Sequence, residues 1–329
     1  MITILSLKTL SGKATDAVDT VNRNVFDRIN KNEIKFVEAR GIFNKVILMY
    51  ELKPQFLLGI GNIEELFFVI LKPRSTRYVI TWHTLLRKTK TWPIRKLLFK
   101  LSEFVIAVSG CAAETVRKYF PSKKIFVVLN GVDVDFFNPN KENKEYLAKK
   151  YGINFSKPII LFVGALFERK RPDIFIEVAK RIKNANFVLV GRKDKKDFLS
   201  SAINIDNFQW IPFIDRNDIS IMMASSDIFL FPSINEPCAA VIPEAMSSGL
   251  LALLSKSCGN KELVDDGIDG FLVDVGGNEI KEFTEHLRNL LDNAEFRKKI
   301  SLESRKKCEN KLNWLITSDN YKKIFLENL

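Results

Sequence analysis

Two glutamates eight residues apart, Glu236 and Glu244, are the first candidates for chemistry in this sequence. They lie in the segment PSINEPCAAVIPEAMSSG, residues 232–249, which directly follows the apolar run Ile228–Phe231. A carboxylate at the carboxyl end of a buried strand can accept two hydroxyl hydrogen bonds, as a ribose diol requires. Backbone N–H groups where the loop enters a helix favour a phosphate. The alternative is structural, with Glu236 capping the loop and Glu244 lying on a solvated helix face.

Three consecutive cations, Arg169, Lys170 and Arg171, form the second candidate feature. They follow the apolar run Ile159–Val163 and Gly164, and a proline opens the next segment. A lysine point charge and an arginine fork between a strand and a helix start would suit a diphosphate. The alternative is a basic loop that faces solvent.

Strands and helices that alternate along the chain must position these loops. In the first half, Ala17, Val18, Val21, Val25 and Ile29 recur at three- and four-residue steps and predict a helix. Further helices are predicted at 95–101 and 112–119. The predicted strands are Ile2–Leu7, Ile34–Val37, Val46–Met49, Phe56–Gly59, Tyr78–Thr81, Phe104–Val108 and Ile125–Leu129.

The second half repeats the alternation. Strands are predicted at 159–163, 187–190 and 228–231, and helices at 172–182, 218–224 and 244–248. Two consecutive blocks of this kind predict an α/β fold with two parallel, doubly wound sheets. Such sheets bind ligands beyond the carboxyl ends of their strands, here in the cleft between two domains.

Composition excludes several classes of protein. The 329 residues are 46% apolar with a mean hydropathy of −0.03, and no apolar run approaches the length of a membrane-spanning helix. Four widely spaced cysteines and two histidines argue against a zinc site. Residues 1–7 are expected to form a strand and not a signal peptide, so we expect a reducing cytoplasm. A net charge of +12 predicts attraction to nucleotides, nucleic acid or an acidic lipid surface.

Several ordered motifs resemble the retaining glycosyltransferases of family 4. The segment at 232–249 is similar to the E-x7-E hallmark of that family. The resemblance is strongest between about residues 125 and 275. The other matching segments are Asn130–Asp133, Phe162–Gly164 with Lys170, Val188–Gly191, Ser225–Ser233, Lys261–Val273, Tyr78–His83 and Val105–Ser109.

The resemblance implies a GT-B fold, two Rossmann-like domains facing a central cleft. An acceptor-binding domain would span residues 1–137, a linker 138–157 and a donor-binding domain 158–312, while 313–329 would form a helix packed back on the first domain. The implied reaction moves a hexose from a nucleotide-diphosphate-sugar to a glycan or lipid-linked acceptor with retention of configuration. It would need no metal and no cofactor besides the nucleotide-sugar substrate.

The resemblance also implies roles for single residues. Glu244 would bind the donor ribose, Lys170 with help from Arg169 would neutralise the leaving diphosphate, and Glu236 would lie beside the donor sugar. His83 would reach the transferred sugar, although a structural histidine at a strand end is the alternative. His83, Lys170 and Glu236 form the implied catalytic set. The implied donor-binding residues are Gly164, Arg169, Lys170, Gly191, Phe213, Glu236, Cys238, Ala239, Ala240, Val241 and Glu244.

The sequence departs from the family pattern at three places. Ala165 stands where the family has arginine, and Arg169 or Arg171 is expected to supply the lost charge. Cys238 and Ala239 stand where the family has an aromatic residue and glycine, and a Cβ at 239 would restrict the approach of a donor. The glycine-rich N-terminal loop is reduced to Ser-Gly-Lys at 11–13.

A basic stretch at 82–100 bears on location. It has six basic and no acidic residues, interleaved with Trp82, Trp92 and leucines. The stretch suits an anionic membrane surface, a nucleic-acid backbone or a solvated helix equally well. We therefore expect a cytoplasmic protein, with peripheral association with the membrane as one of these three open interpretations.

Two other functions stay open: a degenerate nucleotide-sugar-binding protein, and a protein that binds or glycosylates nucleic acid. The second is disfavoured because the sequence has no nucleic-acid-binding motif. An isomerase with the same two-sheet architecture is a weaker third alternative, since fold alone does not determine function.

Overall fold

The computed structural model describes residues 1–7, 17–29, 33–194 and 196–329, which form two compact units. The first unit comprises residues 1–131 and 314–329, and the second comprises residues 132–313. Each unit contains a six-stranded parallel sheet, so the predicted pair of doubly wound sheets is confirmed. The shortened loop at 11–13 lies outside the described residues.

The first unit has the strand order β2-β1-β3-β4-β5-β6. Its strands are β1 (Ile2–Ser6), β2 (Ile34–Glu38), β3 (Phe56–Gly59), β4 (Arg77–Trp82), β5 (Val105–Ala107) and β6 (Ile125–Val127). Its helices are α1 (Ala17–Phe26), α2 (Ile42–Leu52), α3 (Glu65–Leu71), α4 (Trp92–Leu101), α5 (Gly110–Arg117) and the closing helix Trp314–Glu327, which is α13 in chain order.

Helices α1 and α13 pack together on one face of this sheet. Val21 and Val25 of α1 and Phe325 of α13 are buried in the same core, and the Phe325 ring lies 5.1 Å from that of Phe56 in β3. The chain reverses its direction across the sheet after β2. Because crossovers between parallel strands are right-handed, α2 to α5 lie on the opposite face.

The prediction of a strand at Val46–Met49 is wrong, since these residues lie in α2. The run of β-branched and long apolar residues has strand propensity, but Ile42 and Tyr50 extend it at helical spacing. Two parallel strands also need a crossover, and α2 is the crossover from β2 to β3. The helix ends at Lys53, whose left-handed backbone (φ 43°) is followed by a proline.

The second unit has the strand order β12-β11-β10-β7-β8-β9. Its strands are β7 (Ile159–Val163), β8 (Asn186–Val190), β9 (Phe208–Ile211), β10 (Ile228–Phe231), β11 (Leu251–Ser255) and β12 (Phe271–Val273). Its helices are α6 (Lys144–Tyr151), α7 (Pro172–Arg181), α8 (Arg216–Ala224), α9 (Val241–Ser247), α10 (Asn260–Leu263), α11 (Glu279–Leu291) and α12 (Ala294–Lys311). No helix in the described part of the chain is long and apolar enough to cross a membrane.

The segment predicted as a linker, 138–157, lies within the second unit and contains α6. Buried Asp218 of α8 holds this helix, because it accepts hydrogen bonds from the side chains of Tyr146, Lys150 and Tyr151. The polar composition of 138–157 therefore reflects a helix whose side chains hydrogen-bond to Asp218, and not a flexible linker.

Candidate functional site

The site in the second unit is built where β7 and β8 end side by side. Gly164 and Gly191 follow these strands, and a Cβ at Gly191 would lie only 1.9 Å from the Gly164 carbonyl oxygen. A Cβ at Gly164 would in turn lie 2.9 Å from Nζ of Lys170. Gly191 is needed because a Cβ there would meet backbone, whereas at Gly164 a Cβ would meet the Lys170 side chain, which lies across it.

A short 3-10 helix, Glu168–Lys170, carries the predicted cations above the strand ends. Its carboxyl end is Arg171, which has a left-handed backbone (φ 52°) and precedes the first residue of α7. The Arg171 guanidinium donates to Oε1 of Glu279 at 2.9 Å. Arg171 is therefore directed to α11, whereas Arg169 is directed to Glu236 in the loop after β10 and is the candidate for the charge missing at Ala165.

Lys170 and Arg169 converge on one buried carboxylate, that of Glu236. Arg169 forms an ion pair with Oε1 of Glu236, and Nζ of Lys170 lies 3.7 Å from the same oxygen. Glu236 is 6% exposed. Burial lowers the pKa of Lys170, the negative charge of Glu236 opposes that shift, and the neighbouring Arg169 adds to it. Together, the side chains of Arg169, Lys170 and Glu236 carry one net positive charge at the carboxyl end of the sheet, where they would stabilise an anionic ligand.

Backbone contacts hold the loop that carries Glu236. The backbone N–H of Gly259 donates to the backbone carbonyl of Glu236 at 3.0 Å. A Cβ on Gly259 would lie 1.9 Å from the Pro237 carbonyl oxygen. Asn260 is fully buried, and its Nδ2 donates to the carbonyls of Ser233 and Ser255 at 3.1 Å each. Gly259 and Asn260 were not predicted as supports, although a Gly-Asn pair a few residues after the apolar run at 250–254 is a turn signal.

The predicted donor-binding residues Cys238, Ala239, Ala240 and Val241 connect this loop to α9. Ala239 is 8% exposed, whereas the other three are partly exposed. Ala240 precedes the first turn of α9 and has no side chain that can cap it. The segment is therefore a helix entrance in which backbone groups, and not side chains, carry the polarity.

Glu244 lies in the first turn of α9, and its side chain is 18% exposed. Burial raises the pKa of Glu244 to about 7, while the charge of Arg216 acts in the opposite direction. Nη2 of Arg216 lies 3.6 Å from Oε1 of Glu244, and the guanidinium lies over the rings of Phe136 and Phe137. The structural alternative of a solvated helix glutamate is wrong, because most of this side chain is out of water.

Phe213 and His83 are the remaining predicted site residues. Phe213 is 72% exposed in the loop between β9 and α8. His83 belongs to the first unit, where it follows β4. It lines a cavity of about 160 Å³ together with Ile60, Asn62, Thr81, Trp82, Thr84 and Arg95.

Of the two tryptophans of the basic stretch, Trp82 is buried and Trp92 is partly exposed. Trp82 is 5% exposed at the end of β4, and the Trp92 ring packs against those of Tyr119 and Phe120 at 4.7 and 6.2 Å. The apolar side chains that this stretch does expose are Leu97, at 42%, and its neighbour Leu101, at 47%.

Comparison with known families decides the classification. A family model described as Glycosyl transferases group 1 matches residues 143–307, which is half of the chain. A second model, described as Glycosyltransferase Family 4, matches residues 64–136. The chain belongs to the group 1 glycosyl transferase family. The predicted family resemblance is confirmed.

Curated relatives extend this similarity. Spore coat protein SA of Bacillus subtilis is 27% identical over 246 residues, which are 68% of this chain and 65% of its own length. An Escherichia coli protein named UDP-Gal:alpha-D-GlcNAc-diphosphoundecaprenol alpha-1,3-galactosyltransferase is 32% identical over 208 residues, 59% of this chain and 51% of its own. The chain thus spans about half to two thirds of the length of these relatives.

Solved structures agree on the fold. Anabaena HepE in complex with UDP and glucose has a TM-score of 0.78 and 17% identity, and all of both chains is covered. A glycosyltransferase from Rickettsia africae has a TM-score of 0.80 and 18% identity, with 99% of this chain and 98% of its own covered. The predicted GT-B fold is confirmed.

Proposed function

We propose that this group 1 family member transfers a hexose from a nucleotide-diphosphate-sugar to an acceptor, with retention of configuration and without a metal ion. The observation that carries the proposal is the convergence of Lys170 and Arg169 on buried Glu236 at the carboxyl ends of β7 and β10. Family membership supports it, as does the HepE structure, which is a complex with UDP and glucose.

The two cations bind the diphosphate of the donor. Lys170 contributes a charge held in a largely buried position, and Arg169, which is 46% exposed, can rotate its fork from Glu236 to a phosphate. Because Arg171 is paired with Glu279, Arg169 replaces the arginine that the family carries at the position of Ala165. Two protein cations neutralise the diphosphate, which is the reason for proposing a reaction independent of metal.

The reaction follows from this electrostatic arrangement. The bond between the sugar C1 and the diphosphate oxygen breaks, and an acceptor hydroxyl oxygen bonds to C1 on the same face. The hydroxyl proton passes to the departing phosphate oxygen. Lys170 and Arg169 stabilise the charge that develops on the diphosphate, so no side chain has to act as nucleophile.

Carboxylates and His83 orient the donor. Glu244 accepts the hydroxyls of the ribose, Glu236 lies beside the transferred sugar once Arg169 turns to the phosphate, and His83 contacts that sugar. Gly164 and Gly191 allow the ends of their two strands to approach closely, and the backbone N–H groups of the helix entrance 238–241 face the diphosphate. Phe213 is placed at the base of the nucleotide.

The proposed acceptor is a glycan or a lipid-linked sugar at an anionic membrane surface. Two curated relatives are named for transfer to diphosphoundecaprenol-linked sugars, one from Escherichia coli and one from Campylobacter jejuni. The basic stretch 82–100 would contact the membrane, and we place the enzyme in the cytoplasm as a peripheral protein in glycan biosynthesis. Nucleic acid is not a proposed partner.

A thermal-shift panel tests the donor site. UDP, GDP, ADP, CMP and their sugar conjugates would each be added with and without EDTA. A nucleotide at 100 times its Kd should stabilise the fold by about 2.7 kcal/mol. Stabilisation by one diphosphate series, unchanged by EDTA and followed by slow release of that diphosphate from its sugar conjugate, is the expected result.

Three outcomes of this panel would contradict the proposal. If no nucleotide stabilises the protein, the donor site is wrong. Stabilisation that EDTA abolishes contradicts metal independence. Binding without any hydrolysis or transfer contradicts catalysis and favours a nucleotide-sugar-binding protein.

A further inference from the structure

Helix α2 presents an apolar stripe to solvent. Phe43, Ile47 and Tyr50 occupy positions four and three residues apart on one side of the helix and are 85%, 52% and 52% exposed. The opposite side of α2 is buried through Lys45 and Met49. Phe43, Ile47 and Tyr50 therefore form an apolar stripe in water, while Lys45 of the same helix is buried.

The neighbouring helices repeat this stripe. Ile63, Phe67 and Ile70, at the same spacing along α3 and its approach, are 44%, 49% and 70% exposed. On α4, Leu97 and Leu101 lie one turn apart and are 42% and 47% exposed. These eight side chains on α2, α3 and α4 are called the apolar face below.

The three helices lie side by side. The Tyr50 hydroxyl of α2 donates to the carbonyl of Leu71 in α3 at 2.7 Å, and Nζ of Lys45 lies 5.7 Å from the ring centroid of Phe68. Helix α3 in turn packs against α4. Since all three helices cover the same face of the sheet, their stripes belong to one surface of the first unit.

Positive charge is concentrated around the apolar face. Residues 40–101, all of which the structure describes, contain twelve Lys and Arg but three Asp and Glu, so this segment carries +9 of the total +12. One of the three acids, Glu65, is buried, and the exposed ones are Glu51 and Glu64. The exposed cations are Arg40, Lys53, Arg74, Arg87, Lys88, Lys90, Lys96 and Lys100.

We infer that the apolar face is the surface by which this protein enters the headgroup region of an anionic lipid bilayer. Exposed Phe, Ile and Leu among lysines and arginines match the two components of such an interface, apolar burial and attraction to lipid phosphates. A second copy of the chain is disfavoured as the occupant, because a two-fold contact would set one +9 segment against another.

This inference rests on the membrane contact proposed for residues 82–100 and changes its chemistry. Because Trp82 is buried and Trp92 packs against Tyr119, α4 contributes only Leu97 and Leu101 besides its charges. Helices α2 and α3 supply the other six inserted side chains. The aromatic with the largest exposed fraction, Phe43, and Ile70 are the two residues that should matter most.

Vesicle flotation of the full chain tests the inference. Vesicles of phosphatidylcholine with 30% phosphatidylglycerol, chosen as the anionic lipid, would be compared with vesicles of phosphatidylcholine alone. The double variant F43S/I70S should lose at least tenfold in partitioning to the anionic vesicles, because apolar burial contributes strongly to interfacial binding. The matched control I268S/L315S removes two apolar side chains of 62% and 63% exposure elsewhere and should stay within twofold of wild type.

A charge variant separates the two components of binding. K96Q/K100Q should weaken binding to anionic vesicles and reduce its salt dependence, while the residual binding to neutral vesicles stays the same. If F43S/I70S partitions like wild type, the apolar face is not the membrane contact. A concentration-dependent dimer in vesicle-free solution that F43S/I70S abolishes would identify a second copy as the occupant and overturn the inference.

Nucleotide binding distinguishes a failure of the proposed donor site from a failure of the proposed membrane contact. Thermal stabilisation by the nucleotide diphosphate, measured without vesicles, should be the same in wild type and F43S/I70S. Loss of vesicle binding with intact nucleotide binding supports the inference. A wild-type protein that binds the nucleotide but does not float with anionic vesicles refutes the membrane contact and leaves the donor site standing.

Discussion

Replacing Glu244 with glutamine should change the pH dependence of stability in a defined direction. Burial raises the pKa of this carboxyl from its ordinary 4.5 to about 7. Between these two pH values the folded protein keeps a proton that the unfolded chain has already released. The free energy of unfolding therefore falls as pH rises through this window and levels off above pH 7.

The magnitude follows from the size of the pKa change. A rise from 4.5 to about 7 corresponds to about 3 kcal/mol of stability lost between pH 4.5 and pH 8. Because the side chain is 18% exposed, solvent screening makes this an upper value. Glutamine has the same shape and does not ionise, so E244Q should become more stable relative to wild type as pH rises, by up to this amount.

Urea denaturation at pH 5, 6, 7 and 8 measures the effect in both proteins. The difference in unfolding free energy, E244Q minus wild type, should grow with pH. The variant R216M is a second check. Removing the opposing cation should raise the pKa of Glu244 further, so R216M should lose more unfolding free energy with rising pH than wild type does. Parallel pH profiles for wild type and E244Q would refute the burial argument. A difference that shrinks with pH would mean that the ionised carboxylate is stabilised.

Three further predictions concern the site and its support. G191A should destabilise the second unit by about 3 kcal/mol in urea denaturation, because its Cβ would meet the Gly164 carbonyl oxygen; a change under about 0.5 kcal/mol would contradict that close approach. R305M should cost about 3 kcal/mol, because the guanidinium donates to the carbonyls of Val134, Phe137 and Ser247 at 2.7–2.9 Å; an unchanged midpoint would show that these contacts contribute nothing. R169A should weaken nucleotide-diphosphate binding at least tenfold in calorimetry while R181A, its surface-paired control on α7, binds normally; equal affinities would remove Arg169 from the donor site.

Local signals were sufficient for the parts of the fold and site that depend on neighbouring residues. The apolar runs that became β7, β8 and β10 are uninterrupted and end in Gly164, Gly191 and Pro232, so both strand type and loop position could be predicted. A parallel sheet brings the ends of such strands together. The meeting of Lys170 with Glu236 at one edge was therefore predictable in outline.

Contacts between distant parts of the sequence could not be predicted. Arg171 and Glu279 are 108 residues apart, and without their ion pair Arg169 and Arg171 were equivalent candidates for the charge missing at Ala165. The burial that raises the pKa of Glu244 depends on elements packed around α9. The local sequence therefore could not distinguish a buried glutamate in the site from a glutamate on a solvated helix face.

Short or ambiguous elements were missed for a different reason. The strands β11 and β12 were not predicted, because periodicity alone does not distinguish a short apolar run in a strand from a buried helix segment. At 46–49, the local strand propensity was stronger than the helical spacing of the residues on either side. Tertiary context overrode propensity there, since a parallel sheet needs a crossover between β2 and β3.

Release of nucleoside diphosphate from the preferred sugar donor by wild type, K170A and K180A tests the central claim most directly. Lys170 reaches Glu236 at the strand ends, whereas Lys180 pairs with Glu177 on the surface of α7 and serves as the matched control. K170A should lose at least about 100-fold in kcat with its melting temperature little changed, and K180A should turn over like wild type. Near-normal turnover in a folded K170A would contradict the account, because the cation proposed to stabilise the departing diphosphate would then be dispensable.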